Sequence, residues 1–133
     1  MRKILLDTNG YIKLLLGDEA VLEELGNANQ IYLSAIVLGE LFAGFKGGNR
    51  EQENRKLLEK FLNKSGVVIA FVNKETAEIF GEVKYNLLKI GTPLPINDVW
   101  IASCALEVGA VVITYDRHFL KVPGLRIWNS IKS

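Results

Sequence analysis

Residues 2–16 read RKILLDTNGYIKLLL, and the change of pattern at Asp7 decides the fold. Residues 2–6 form a short apolar run ended by a carboxylate, which suits a buried strand. Asp7, Thr8 and Asn9 all favour the start of a helix, because each side-chain oxygen can accept from the free amides of a first turn. Residues 11–16 then read as helix. A strand that passes directly into a helix is half of a parallel β-α-β unit.

The same alternation continues outward. Gly17 and Asp18 punctuate the chain, and Ala20, Val21, Leu22 and Leu25 recur at the spacing of a second helix. Residues 30–33 read as a strand, and Ser34 caps a helix over 35–45. Gly47, Gly48 and Asn49 form a loop. The charged helix over 50–64 carries Leu57, Leu58, Phe61 and Leu62 inward. Residues 67–72 are an unbroken β-favouring run after Ser65 and Gly66, predicting a fully buried strand. Asn73 opens a long amphipathic helix that ends near Gly91, with Ala77, Phe80, Val83 and Leu87 on one face. Pro93 and Pro95 keep the next residues extended. A helix from Asn97 or Asp98 runs to Val108 and is stopped by Gly109. Residues 111–114 predict a fourth strand, 116–120 a short helix and 126–128 a last strand. Strands separated by helices predict an α/β fold with a mainly parallel sheet covered on both faces. With no repeat, linker or low-complexity tract, residues 1–133 are expected to form a single domain.

Composition narrows the class. At 133 residues and 49% hydrophobic, the chain can bury about two-thirds of its unfolded surface without disulfides or a structural metal. One cysteine, Cys104, excludes an internal disulfide and any multi-cysteine metal site. The N-terminal segment lacks an apolar stretch and cleavage site of the kind a signal peptide carries, and no segment suits a bilayer span. A soluble, cytoplasmic protein is expected. The net charge of +1 is far below that of proteins that grip nucleic acid by bulk charge. Any nucleic-acid contact must come from local basic patches, with Lys46, Arg50, Arg55 and Arg117 as candidates, or from a bound cation; the stronger reading is a solvated face, since residues 50–64 alternate in charge sign.

Four acids carry the chemistry. All strands of a parallel sheet end along one edge, where ligands bind at the reversal of strand order. Asp7 follows the first strand directly, and Asp116 follows the fourth after Thr114 and Tyr115. Asp98 opens the helix before that strand, which must begin near the same edge. Glu40 sits in AIVLGELFAGF (35–45), apolar on nearly every side, with no basic neighbour before Lys46. An ionised carboxylate in such surroundings is costly unless it is paired or bound to a cation; the equal alternative is that Glu40 lies on the solvated edge of an otherwise buried helix. Taken singly, each aspartate is explained by capping, which stabilises a helix by about 1 kcal/mol. Their convergence is not, because adjacent carboxylates repel unless a cation intervenes. Hard oxygen donors suit Mg²⁺ or Mn²⁺. His118 reads as a surface residue beside Arg117, and Cys104 as core.

Asp7-Thr8-Asn9, Ser34 followed by Glu40 in an apolar helix, Asn97-Asp98 before Ile101-Ala102, and Thr114-Tyr115-Asp116 together resemble the PIN-domain nucleases. The ending HFLKVPGLRIW (118–128) is similar to that of the VapC toxins of toxin–antitoxin pairs. This resemblance implies a three-layer α/β/α domain, usually a homodimer, in which Asp7, Glu40, Asp98 and Asp116 form a Mg²⁺- or Mn²⁺-binding catalytic cluster. It further implies that Thr8, Asn9, Ser34, Asn97 and Thr114 support that cluster by hydrogen bonds. Gly10 stands where the family more often has an aliphatic residue, a departure expected to loosen the first helical turn without touching a ligand.

The activity this resemblance implies is metal-dependent hydrolysis of RNA by a toxin restrained by a cognate antitoxin protein; Phe42 and Phe45 belong either to the core or to the groove that an antitoxin segment would occupy. A housekeeping PIN nuclease in RNA processing is the alternative. A phosphate-accepting receiver domain is disfavoured because Asn73, not an aspartate, follows the middle strand. A non-catalytic module has no reason to keep Glu40 among apolar residues.

Overall fold

The structure, a computed structural model, describes residues 1–132. The elements run β1 (Lys3–Leu6), α1 (Thr8–Leu15), α2 (Glu19–Gly26), β2 (Gln30–Ser34), α3 (Ala35–Gly47), α4 (Glu51–Leu62), β3 (Val67–Ala70), α5 (Lys74–Lys89), α6 (Ile96–Val108) and β4 (Val111–Ile113). A 3-10 helix (Arg117–Lys121) and a short α7 (Asn129–Lys132) follow. Every strand pairing is parallel, and the order across the sheet is β3-β2-β1-β4. With helices on either side, this is the expected three-layer α/β/α arrangement. Among the described residues no helix is long and apolar enough to cross a membrane.

The sequence explains this order strand by strand. β1 is central, hydrogen-bonded on both sides, with Leu5 opposite Tyr32 of β2 and Val112 of β4. A strand covered on both faces must be apolar at consecutive positions, and Ile4, Leu5 and Leu6 are each fully buried. β3 departs from expectation. The run over 67–72 reads as a buried strand, but the strand ends at Ala70, and Val68, Phe71 and Val72 are exposed. β3 is the edge strand, with β2 as its one neighbour, so its β-favouring residues are shared between the core and the surface.

The expected last strand over 126–128 is also reduced. Only the parallel bridge between Val112 and Ile127 forms, because α7 begins at Asn129 and ends the pairing. The segment still locks β4 in place: the Trp128 indole N–H donates to the Thr114 carbonyl at 2.6 Å, in the interior. Helix boundaries follow local chemistry. Ser34 accepts from the Val37 amide, and Gly109 ends α6 in the left-handed conformation at φ 72°. α5 and α6 run antiparallel, joined by Thr76 donating to Glu107 and by stacking of Phe80 on Trp100 at 3.9 Å.

Candidate metal centre at the carboxyl edge of the sheet

The strand order reverses between β1 and β4, since β1 connects onward to β2 on one side and pairs with the last strand on the other. Asp7 and Asp116 leave the carboxyl ends of these two strands, at the place where open α/β sheets bind ligands. A cleft of about 300 Å³ opens there, lined by Asp7, Thr8, Asn9, Ile12, Glu40, Asp98, Ile101 and Asp116. All four predicted acids face it.

Asp7 is 4% exposed and is the N-cap of α1. One carboxylate oxygen accepts from the Gly10 amide at 2.6 Å, and the other from the Thr114 hydroxyl at 2.5 Å. Burial pushes its pKa up to about 6; those two hydrogen bonds oppose the rise, and the charges of Asp116 and Asp98 add to it. Thr114 is itself fully buried and accepts the Asp116 amide at 2.9 Å, so one hydroxyl sets two acids. Asn9 accepts the Tyr115 amide at 3.1 Å and ties α1 to the same turn.

Of the two readings of Glu40, the solvated edge of a buried helix is the nearer. It is half-buried rather than enclosed by apolar groups. Burial on α3 is carried by the stripe Val37, Leu41 and Phe45. Glu40 stands at the margin of that stripe, where Thr8 donates to it at 2.5 Å and Asn97 at 3.3 Å. The polar partners it lacks in its own helix arrive from α1 and α6. Ser34 acts one step removed: it caps the helix that carries Glu40.

Asp98 lies in the first turn of α6, which begins at Ile96 and not at Asn97 or Asp98. Its carboxyl pKa is raised, by burial first and then by the charge of Asp116, with His118 opposing. Asp116 caps the 3-10 helix by accepting the His118 amide at 2.9 Å. The His118 ring also turns into the site, its Nδ1 standing 3.4 Å from Asp98 and 3.2 Å from Asp116. Asp98, Asp116 and His118 thus present three donor atoms close enough to share one cation. The surface position expected for this histidine holds, its side chain being 48% exposed, but its approach to the two acids was not expected. The available signal was its position two residues after Asp116, since a tight turn folds such a side chain back onto its own cap.

Gly10 is likewise corrected. It is buried, its amide holds Asp7, and a Cβ there would collide with the Ile113 carbonyl and stand 3.1 Å from the Asp7 carboxylate. Far from loosening the turn, it lets α1 press against the end of β4. Of the candidate RNA-binding cations, Lys46 pairs with Glu51 at 3.3 Å, Arg50 stands 4.0 Å from Glu53, and Arg55 lies over the Phe42 ring at 4.6 Å. These fit the solvated-face reading of a charged helix.

Four carboxylates line one cleft, two of them with raised pKa values; Asp98 and Asp116, with His118, bring donor atoms close enough to share a hard divalent cation, and Asp7 and Glu40 are held beside them by hydroxyls and amides. The sequence pattern of the PIN domain family matches residues 4–125. The tRNA(fMet)-specific endonuclease VapC of Salmonella typhimurium is 31% identical over 96% of this chain and 97% of its own length. Ribonuclease VapC2 of Rickettsia felis is 33% identical over 81% and 80% of the two chains. Among solved structures, VapBC2 from Rickettsia felis bound to a promoter DNA fragment contains a chain that superposes with a TM-score of 0.84 at 27% identity, covering 95% of this chain and 97% of that one. An acidic cleft at the sheet's switch point and full-length similarity lead to one assignment: the chain belongs to the PIN-domain family, among the VapC ribonucleases.

Proposed function

We propose that this protein is a Mg²⁺- or Mn²⁺-dependent endoribonuclease, the toxin of a toxin–antitoxin pair, acting in the cytoplasm as a homodimer. The observation that carries it is the convergence of Asp7, Glu40, Asp98 and Asp116 on one cleft. A bound divalent ion would lower the pKa of a water and neutralise charge on the scissile phosphate. Asp7 and Asp98 are assigned as direct ligands, with Asp116 completing the set. Asp7 suits this role because its hydrogen bonds to Gly10 and Thr114 fix its orientation. Glu40, held by Thr8 and Asn97, is assigned to contact the metal through water or to take the proton of the attacking water as the P–O bond breaks.

The partner assignment draws on the relatives. The Rickettsia felis structure is a VapBC2 assembly on DNA, and the Salmonella typhimurium relative is named as an endonuclease acting on tRNA(fMet). A groove beside the acidic cleft shares Thr8, Ile12 and Glu40 with it and is otherwise lined largely by apolar residues, Phe45 among them. An antitoxin segment seated there would cover the acids.

The purified protein is expected to cut RNA with Mg²⁺ or Mn²⁺, and Asp7→Asn to reduce cutting by a factor of at least about 10³, on the scale of losing a group that acts in the transition state. Undiminished cutting in excess EDTA would sink the proposal. Induction in cells should arrest growth until the cognate antitoxin is co-expressed; a nuclease without toxicity would remove the toxin assignment alone.

A further inference from the structure

We propose that His118 is a nitrogen ligand of the metal held by Asp98 and Asp116, giving the centre a mixed oxygen–nitrogen donor set that takes Mn²⁺ in preference to Mg²⁺. The inference rests on the metal-dependent reading above and deepens it, since nothing in an all-carboxylate cluster selects between the two ions.

The geometry points this way. His118 Nδ1 lies 3.4 Å from one Asp98 oxygen and 3.2 Å from one Asp116 oxygen. Neighbouring donors in an octahedral shell, with metal–ligand bonds of about 2.1 Å, stand about 3 Å apart. In the metal-free protein the ring can share one N–H between the two carboxylates, and an ion in place of that proton would keep the same three donors.

The ring is also held in place. The His118 amide is tied to Asp116 at 2.9 Å, and the next residue, Phe119, is 1% exposed and anchors the 3-10 helix in the core. The imidazole side chain itself is 48% exposed, so a hydrated ion can reach it from solvent. Magnesium strongly prefers oxygen and keeps its waters, whereas Mn²⁺, a transition ion that gives up water more readily, accepts an imidazole nitrogen better than Mg²⁺ does. Replacing one carboxylate or water by this nitrogen therefore shifts preference toward manganese.

The chain's one histidine makes the test unambiguous. In untagged protein loaded with Mn²⁺, electron spin echo modulation should show an imidazole nitrogen coupled to the metal, and the signal should change when histidine is ¹⁵N-labelled. His118→Gln should abolish the coupling and weaken Mn²⁺ binding by about tenfold or more, while Mg²⁺ affinity moves by less than about twofold. Bound Mn²⁺ that is lost in Asp98→Asn but shows no histidine coupling would overturn the His118 assignment and leave the metal site intact. Folded protein that binds no Mn²⁺ at all would overturn both.

Discussion

Asp7 combines near-complete burial with two hydrogen bonds that favour its charged form, and burial wins. Its pKa rises from 3.8 to about 6, so in the metal-free protein the neutral acid is the favoured form at mildly acidic pH. A raised carboxyl pKa contributes stability that is fully present below the unfolded value and is lost as pH climbs through the folded one. Between pH 4 and 7, wild-type protein in EDTA is expected to lose up to about 3 kcal/mol relative to Asp7→Asn, as the pKa rise converts into free energy. Urea denaturation of both proteins across that range measures the difference, and Mn²⁺ at pH 7 should narrow it. Parallel stability curves would show that the carboxylate is not under this strain. At this scale the acids were legible because each aspartate sits at or near an element boundary, where helix-start chemistry marks it. The exposure of His118 was legible too, but its approach to Asp98 was not, because it arises from a turn that returns the ring to a residue twenty positions earlier in the chain. For Glu40 the sequence leaves burial and a solvated edge equally open, because its partners Thr8 and Asn97 come from helices that local sequence cannot bring together.

Elements place these residues through one tight junction, where the first turn of α1 meets the end of β4. Gly10 permits it. In an exposed helix interior, glycine to alanine stabilises by roughly 0.5–1 kcal/mol. Gly39 on α3 is such a position, exposed and with open space for a Cβ. At Gly10 the obstacle is the Ile113 carbonyl, part of the backbone and unable to swing aside, so overpacking of about 1–3 kcal/mol should outweigh that gain. Gly10→Ala is therefore expected to destabilise and to reduce RNA cleavage by displacing Asp7, while Gly39→Ala is neutral or stabilising. Thermal denaturation and cleavage rates of the pair decide it; stabilisation by both would mean α1 has room to move. The alternation of strand and helix was readable because hydrophobic period and cap residues are local signals. The edge position of β3 was not, since apolar sequence at Val68, Phe71 and Val72 looks the same whether one neighbour or two will pair with it. The segment over 126–128 failed similarly: its residues suit a strand, but α7 leaves space for a single bridge.

For the whole molecule, the decisive relation is between the acidic cleft and the groove beside it. That groove, about 470 Å³, is walled by Ile12, Leu15 and Leu16 from the α1 side, Phe45 of α3 and Leu57 of α4, with Arg50 and Glu53 also lining it. Leu16 is 74% exposed and Leu57 45%, an unusual surplus of aliphatic surface beside a charged site. Thr8, Ile12 and Glu40 belong to both cavities, so a chain anchored on the leucines would pass beside the acids. Inhibition and catalysis can therefore be separated by substitution in the groove wall away from the cleft. Leu57→Glu places a charge where an apolar anchor should sit, and a lost anchor of about 2 kcal/mol corresponds to roughly 30-fold weaker antitoxin binding. Cleavage of RNA by the isolated variant should stay within about twofold of wild type, because Leu57 lines the groove but not the acidic cleft. Growth arrest by Leu57→Glu should then persist under antitoxin levels that silence the wild-type protein. Full silencing of the variant would mean that the antitoxin reaches the acids by another face, and loss of cleavage would mean that the groove wall also shapes the RNA site.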